Sequence, residues 1–323
     1  MYDCHDSAAP MKQPETSTAR TRELGHELQR IRKRSGYSGA DMSRTLGWGF
    51  PKVSRLESGQ RSVQPGDVAI YLARARATPD ELEELVSLAS DPHSHQLQFH
   101  SPGLPDSLRT LTLLEAHSTA ITTYSPDVIP ALLQTDSYVR AVLRRYGHTG
   151  PDLETAVEAR LARHALFARR SRPALTFYIH ENALRGVASD STVMNEQLVQ
   201  LQLASSLPQC QIHVVPATAE EPGDGREFSV FRHDGNQPVF QVDAFAASLF
   251  LEEDSVIAFY REFLRHLTTA ALDRDQSRNW IVNRTSELER TTPGNARQLA
   301  EAFTLLTSTT HSRNGKTHED CAS

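Results

Sequence analysis

Between Leu46 and Arg61 the chain reads LGWGFPKVSRLESGQR, and its side chains suit recognition better than bond-making. Ser54 and Arg55 lie together on one short segment, with Lys52 just before them and Arg61 just after. A guanidinium can bond both acceptors of a guanine edge, a hydroxyl can meet a base or a phosphate, and an ammonium suits a phosphate. Arg55 is the foremost candidate for a base contact, with a phosphate contact as its alternative, whereas Lys52 and Arg61 suit phosphates. Phe50 and Pro51 open the same segment and offer no side-chain hydrogen bond. Their part in reading a duplex would be apolar contact with a thymine methyl or a response to DNA shape; the alternative for Phe50 is to fold back into a core.

Other groupings carry less. His180 beside Glu181 has the residue types of acid-base work, but general catalysis needs converging partners, and a capped helix start accounts for the pair more simply. His93, His95 and His100 lie in a Pro- and Ser-containing stretch without Cys neighbours, a poor setting for a metal. Glu221 to Arg226 (EPGDGR) has two glycines but lacks the lysine and spacing of a phosphate-binding loop, so it reads as a turn. Gln134, Thr135, Asp136 and Ser137 read as a helix cap, with a pocket wall as the alternative. No metal, cofactor or catalytic site is expected, and the chain is read as a non-enzyme.

The elements that must position Phe50, Ser54 and Arg55 are legible in the punctuation around them. Five short helices are predicted: Thr21 to Arg34, Ser38 to Leu46, Phe50 to Ser58, Pro65 to Arg76 and Pro79 to Ala89. Ser38 caps the second, with Asp41 returning the hydrogen bond, and is also placed among the candidate DNA contacts. Pro65 opens the fourth helix, and Thr78 with Glu81 opens the fifth. Leu24, Leu28 and Ile31 recur at helical spacing and face the core. Gly47 supplies the turn where a side chain is costly, and small Ser43 lies where two helices approach. Trp48, Val53 and Leu56 bury the inner face of the third helix. This is a helix-turn-helix, whose second helix enters the major groove by its N-terminal end.

Charge agrees with a divided chain. The 323 residues carry a net charge of -6, but residues 20–76 hold 12 Lys plus Arg against 5 Asp plus Glu, a net of +7, which leaves about -13 for the rest. A basic module joined to an acidic body points to nucleic-acid contact. No apolar run approaches the roughly 20 residues of a membrane span. The first 19 residues lack the apolar stretch of a secretory signal and read as a disordered tail, so a cytoplasmic protein is expected. Cys4, Cys210 and Cys321 are far apart and suit neither a disulfide framework nor zinc.

From Arg22 to about Ala77 the sequence resembles the Xre family of phage-repressor-like helix-turn-helix regulators. Its most specific run, Ser-Arg-x-Glu-x-Gly, stands here as Ser54, Arg55, Glu57 and Gly59. The resemblance implies a structural salt bridge between Glu57 and Arg32, and a helix C-cap at Gly59. One departure is informative: such regulators usually start the recognition helix with small or amide residues, where this chain has Gly49, Phe50 and Pro51.

After a linker over residues 91–105, helices are predicted at Leu108 to Thr123, Ser137 to Tyr146, Leu153 to Arg170, Thr192 to Ser205, Ser255 to Leu272 and Gln276 to Glu289. Strands are predicted at Leu175 to Ile179, Gln211 to Val215, Phe228 to Arg232, Pro238 to Val242 and Ser248 to Leu251. The fold class is therefore a mainly α helix-turn-helix domain of five short helices (residues 20–90) followed by an α+β domain (106–290). Residues 291–323 read as a possible helix, Asn295 to Leu306, and a disordered tail. The second domain resembles the Scr1-like, antitoxin-like (DUF5753-type) domain of actinobacterial regulators. The resemblance rests on IPALLQTDSYVR (Ile129 to Arg140), Arg160 with Arg163, IHENALR (Ile179 to Arg185), MNEQLVQLQL (Met194 to Leu203) and QIHVVP ending at Pro216. His164 and Ala131 depart from the family's usual glutamine and glycine. The resemblance implies a sensing or partner-binding role, toward a small acidic protein or a small-molecule effector. The whole is read as a homodimeric regulator on an inverted-repeat site in double-stranded DNA, with an antitoxin-type interaction protein as the alternative.

Overall fold

The computed structural model describes residues 17–60, 63–90, 96–99, 109–169, 172–186, 190–219, 226–244 and 247–291. Five short helices come first: α1 (Ala19–Arg34), α2 (Gly39–Leu46), α3 (Phe50–Glu57), α4 (Pro65–Arg74) and α5 (Pro79–Ser90). A mixed α/β region follows: β1 (Gln96–Phe99), α6 (Arg109–His117), β2 (Ala120–Ser125), α7 (Asp136–Arg145), α8 (Gly150–Ala162), β3 (Ala174–His180), α9 (Glu181–Gly186), α10 (Ser191–Ser205), β4 (Cys210–Val215), β5 (Phe228–Arg232), β6 (Val239–Ala244), β7 (Ala247–Leu251), α11 (Asp254–Ala270) and α12 (Arg274–Thr291). The predicted class, five helices and then an α+β domain, is the class observed.

Local chemistry starts each early helix. Thr18 and Ser38 accept hydrogen bonds from the backbone N–H groups of Thr21 and Asp41, and each of those side chains bonds back to its cap. Prolines occupy the first turns of α3 and α4, where a missing N–H costs nothing. Leu24, Leu28 and Ile31 form the inner stripe of α1 and pack with Met42, Val53, Leu56, Val68, Tyr71, Leu72 and Leu85 in one buried cluster. The carboxylate of Glu81 closes α5 back onto α1. It accepts the Thr78 N–H (2.9 Å), both terminal nitrogens of Arg34 (2.7 Å each) and Arg30 (3.1 Å).

The Arg34 bonds hold the Glu81 pKa down, to about 2. The unfolded chain binds that proton more readily, so this group's stabilisation is fully present above the ordinary carboxylate pKa of roughly 4.3 and fades as pH falls toward 2. Glu81→Gln is therefore expected to flatten the fall in melting temperature between pH 5 and pH 2. An unchanged pH profile in the variant would refute this.

The chain divides into two compact units. The first takes its members from residues 1–122, 168–174 and 227–264. It joins the five helices and α6 to an antiparallel run in the order β1-β7-β6-β5. Phe228 lies opposite Val242 and Val230 opposite Phe240, while Phe240 and Val242 lie opposite Leu251 and Leu249 on the other side. The first half of α11 covers this sheet: Phe228 meets Tyr260 and Phe263 with ring centroids 4.9 and 5.3 Å apart, and Phe240 stacks on Tyr260 at 5.0 Å. The second unit holds the parallel pair β3 and β4, registered from Leu175 opposite Cys210 to His180 opposite Val215, with α7, α8, α10 and α12. Cys210 is buried there as a free thiol, and desolvation pushes its pKa up to about 12; Cys4 and Cys321 lie outside the described residues.

Three expectations are corrected. The helix predicted over Leu108 to Thr123 is α6, and it stops at His117. The run Ile121, Thr122, Thr123, Tyr124 is β-branched and aromatic, so it favours the pleated surface of β2. The predicted linker contains β1, paired with β7 from Gln96 opposite Phe250 to Phe99 opposite Ala247. The helix predicted to reach Arg170 leaves the α form at Ala162 and tightens into a 3-10 turn, Arg163–Ala168. Asn295 to Leu306 and the first 16 residues lie outside the described residues.

Candidate nucleic-acid interface

α2, the turn and α3 form a rigid bracket. α2 closes on Gly47 in the left-handed conformation (φ 65°), and Trp48 then donates its N–H to Ser43 (3.0 Å) while the Ser43 hydroxyl bonds the Trp48 carbonyl. Ser43 is thus small at the helix approach and also ties the turn. Val53 and Leu56 are buried, Trp48 packs against the same cluster, and these three point α3's inner face at the core. What remains outward is its N-terminal face: Phe50, Pro51, Ser54 and Arg55 are all exposed. The alternative that Phe50 folds into the core does not hold, because its side chain is 55% exposed. Its ring edge lies over the Cα of Gly39 at the start of α2.

The bracket is locked to α1 from beneath. Arg32 meets Glu57 through two bonds, Nε to Oε1 at 2.8 Å and Nη2 to Oε2 at 2.6 Å, with the two side chains only 9% and 8% exposed. The Tyr71 hydroxyl donates to the same carboxylate (2.7 Å), and Arg32 also donates to the Tyr37 carbonyl (2.8 Å). The bond to Glu57 holds the Arg32 pKa above its ordinary value, while burial raises that of the Tyr71 phenol. The resemblance implied the pair; Tyr71 and the Tyr37 carbonyl as its further partners carried no signal in the sequence. Gly59 follows α3 with φ 65° and its carbonyl accepts the Thr21 hydroxyl (2.9 Å).

Much of the module's positive charge is spent internally. Arg30 and Arg34 share Glu81, Arg32 has Glu57, Arg44 has Asp41, Lys52 has Asp67 at 2.9 Å, and Arg22 lies 3.5 Å from Glu252. Lys52, read from sequence as a phosphate contact, also sits over the Trp48 ring at 3.9 Å, so a phosphate would have to compete with two partners. Ser38 is exposed, but its hydroxyl serves Asp41 as the α2 cap. Arg61 lies outside the described residues. Among the described residues of this module, Arg55 and Arg76 stand out as exposed guanidinium groups with neither an ion pair nor a hydrogen bond.

α1 is also held by the region that follows the five helices, within the same compact unit. Glu252, just after β7, accepts the Ala19 N–H as well as facing Arg22, and Thr110 of α6 donates to Glu23. Burial lowers the Arg22 pKa and raises that of Glu252, each by desolvation first.

Two of the other groupings resolve as structure. His180 Nδ1 accepts the Asn182 N–H (3.1 Å), and Glu181 accepts the Ala217 N–H (2.9 Å) and pairs with Arg185, so the two mark the start of α9. Thr135 caps α7, and its own N–H donates to Gln197 (2.8 Å). Gln197 in turn donates to the Leu133 carbonyl (2.7 Å), and Gln134 to that of Ile129 (2.7 Å). Gln134 and Gln197 are buried, so this network spends their polarity on holding the loop before α7. Among the described residues no group of three or more His, Cys, Asp or Glu is placed to hold a metal ion, and no helix is long and apolar enough to cross a membrane. His93, His95, His100 and residues 221–225 lie outside the described residues.

Comparison with known proteins agrees with this division. Residues 23–85 match a helix-turn-helix domain, the kind of module that points to DNA binding and transcription regulation rather than catalysis. No curated protein matches the chain. Residues 108–283 match a domain of unknown function, DUF5753. With more than half its length in that match, the chain belongs to the DUF5753 family and carries a helix-turn-helix domain ahead of the family's domain.

Proposed function

We propose that the protein is a sequence-specific transcriptional regulator that docks the N-terminal end of α3 in the major groove of double-stranded DNA. One observation carries the reading: in a module where Arg22, Arg30, Arg32, Arg34, Arg44 and Lys52 are ion-paired, the Arg55 guanidinium stands exposed and unpartnered on the same face as Ser54 and Phe50, the face a groove would receive. Ser54, Arg55, Phe50 and Pro51 are the proposed base-facing residues, and Ser38, Lys52 and Arg61 the proposed backbone contacts. The protein acts in the cytoplasm as a homodimer, with half-sites about one helical turn apart in an inverted repeat, roughly 34 Å. The proposed domains are a DNA-binding domain over 20–90 and a second domain over 106–290, joined by residues 91–105, of which 96–99 form β1.

The second domain receives the signal, from a small-molecule effector or a partner protein. The contacts of α1 with Glu252 and Thr110 support this, since a shift at either would reach the helix that braces α3. The second reading, an antitoxin-type protein that holds a small acidic partner and regulates its own operon, has the α3 face in its favour. An acidic protein would be drawn to the same unpaired guanidinium that DNA uses. A stoichiometric acidic partner that co-purifies and displaces DNA would select that reading.

A fluorescence titration with the gene's upstream DNA tests the proposal. Specific binding is expected to weaken with added salt as counterion release demands, and Arg55→Ala to cost about 1–3 kcal/mol of specific binding. Affinity indifferent to sequence, or an Arg55→Ala protein that binds as the parent does, would overturn it.

A further inference from the structure

We infer that each operator half-site presents a thymine to the first turn of α3, and that Phe50 reads its 5-methyl group. The inference rests on the proposed docking of α3 and goes beyond it by naming the base.

The first turn of α3 has almost nothing polar to offer a base edge. Gly49 caps the helix without a side chain, Pro51 lacks even a backbone N–H, and Lys52 is held by Asp67 and the Trp48 ring. The first exposed side-chain donor on the helix is Ser54. What the turn does offer is one large apolar group: the Phe50 side chain, more than half in solvent on a face otherwise occupied by Pro51, Ser54 and Arg55. Its ring edge lies close to Gly39 at the start of α2, where a Cβ would stand 3.3 Å from Phe50 Cε2. In the major groove every base edge shows donors and acceptors, and thymine alone adds a methyl group. An aromatic ring at the tip of a docked helix is therefore matched by thymine and by no other base, while Ser54 and Arg55, a turn further along, are left to read polar edges.

The test uses the full chain and the shortest duplex it selects from a random pool, made once with thymine and once with deoxyuridine at every thymine. Removing the methyl is expected to weaken wild-type binding about fourfold for each methyl buried, the value of one methyl-sized group taken from water. Phe50→Ala is expected to bind the two duplexes equally, at the level the parent shows for the deoxyuridine duplex. Arg55→Ala is expected to bind both more weakly and keep the ratio between them. A parent protein that selects its sequence yet binds both duplexes alike would overturn the thymine assignment and leave the docking of α3 standing, as would a ratio that survives in Phe50→Ala. A parent that selects no sequence would overturn both. Because the deoxyuridine comparison is made on the unaltered protein, it decides whether a thymine methyl is read; the ratio in Phe50→Ala then decides whether Phe50 is the residue that reads it.

Discussion

Glu57→Ala is expected to cost the N-terminal module about 3–5 kcal/mol, a large part of the 5–15 kcal/mol that holds a typical domain. The loss exceeds that of an ordinary ion pair because of what is stranded. Arg32 donates through Nε and Nη2 to Glu57 in a site where neither side chain is more than a tenth exposed, and the Tyr71 hydroxyl donates to the same carboxylate. Without Glu57 a buried guanidinium and a buried phenol both lose their acceptor, and the Tyr37 carbonyl satisfies only one of the Arg32 nitrogens. Two controls separate this from mere packing. Tyr71→Phe deletes one neutral donor to a charged acceptor and is expected to cost about 1.5–3 kcal/mol. Arg32→Met combined with Glu57→Leu removes both charges together and is expected to recover much of the single-variant loss, since replacing a buried pair by apolar groups is often neutral. Urea unfolding of the four proteins checks the set, and a double variant as unstable as Glu57→Ala would show that the pair's geometry, not the stranded charge, sets the cost.

How far the sequence foretold this architecture depends on the range of the interaction concerned. Ser38 with Asp41, Thr78 with Glu81 and the prolines at the starts of α3 and α4 act within a turn or two of chain, so residue type and spacing are sufficient to place those helices. The period of Leu24, Leu28 and Ile31 likewise names the buried face of α1. Reading failed where a partner distant in sequence decides. The segment from Ser118 to Thr123 continued a helical pattern on paper, yet β-branched residues there take a place in a sheet. Residues 96–99 look like linker and become a strand because β7, far along the chain, pairs Phe250 with Gln96 and Ala247 with Phe99. The candidate interface divides the same way. That Val53 and Leu56 turn inward and Arg55 outward follows from helical period alone. That Lys52 is engaged by Asp67 and the Trp48 ring, and that Glu81 and Glu252 neutralise cations of α1, needs the fold. Counting charge along the chain found a basic module; only the pairing shows which of its cations are tied down and which, Arg55 and Arg76 among them, stand exposed without an ion pair.

Gly59→Ala is expected to destabilise the module by about 2–5 kcal/mol, while Gly47→Ala, at the same backbone angle, is expected to cost only about 1–2 kcal/mol. Both glycines have φ 65°, so a side chain at either bears the left-handed strain. They differ in what surrounds them. Nothing lies within 4 Å of a Cβ built on Gly47, whereas one on Gly59 would stand 2.5 Å from the carbonyl carbon and oxygen of Thr21 and 2.6 Å from the Arg22 nitrogen. Backbone cannot step aside as a flexible side chain does, so α1 and the end of α3 would have to part, drawing Thr21 away from the Gly59 carbonyl it now bonds. Gly25 gives the complementary case. It lies inside α1, where alanine is intrinsically the better helix former by about 1 kcal/mol. A Cβ there would nevertheless stand 2.5 Å from the Glu57 carbonyl oxygen, so Gly25→Ala is expected to destabilise despite its propensity. Since α1 braces the helix that presents Phe50 and Arg55, both close-contact variants are also expected to weaken DNA binding at temperatures where they remain folded. Gly47→Ala should bind more nearly as the parent does. Equal melting temperatures for Gly47→Ala and Gly59→Ala would mean that the α1–α3 approach is looser than these distances require, and with it the support that holds the reading face in place.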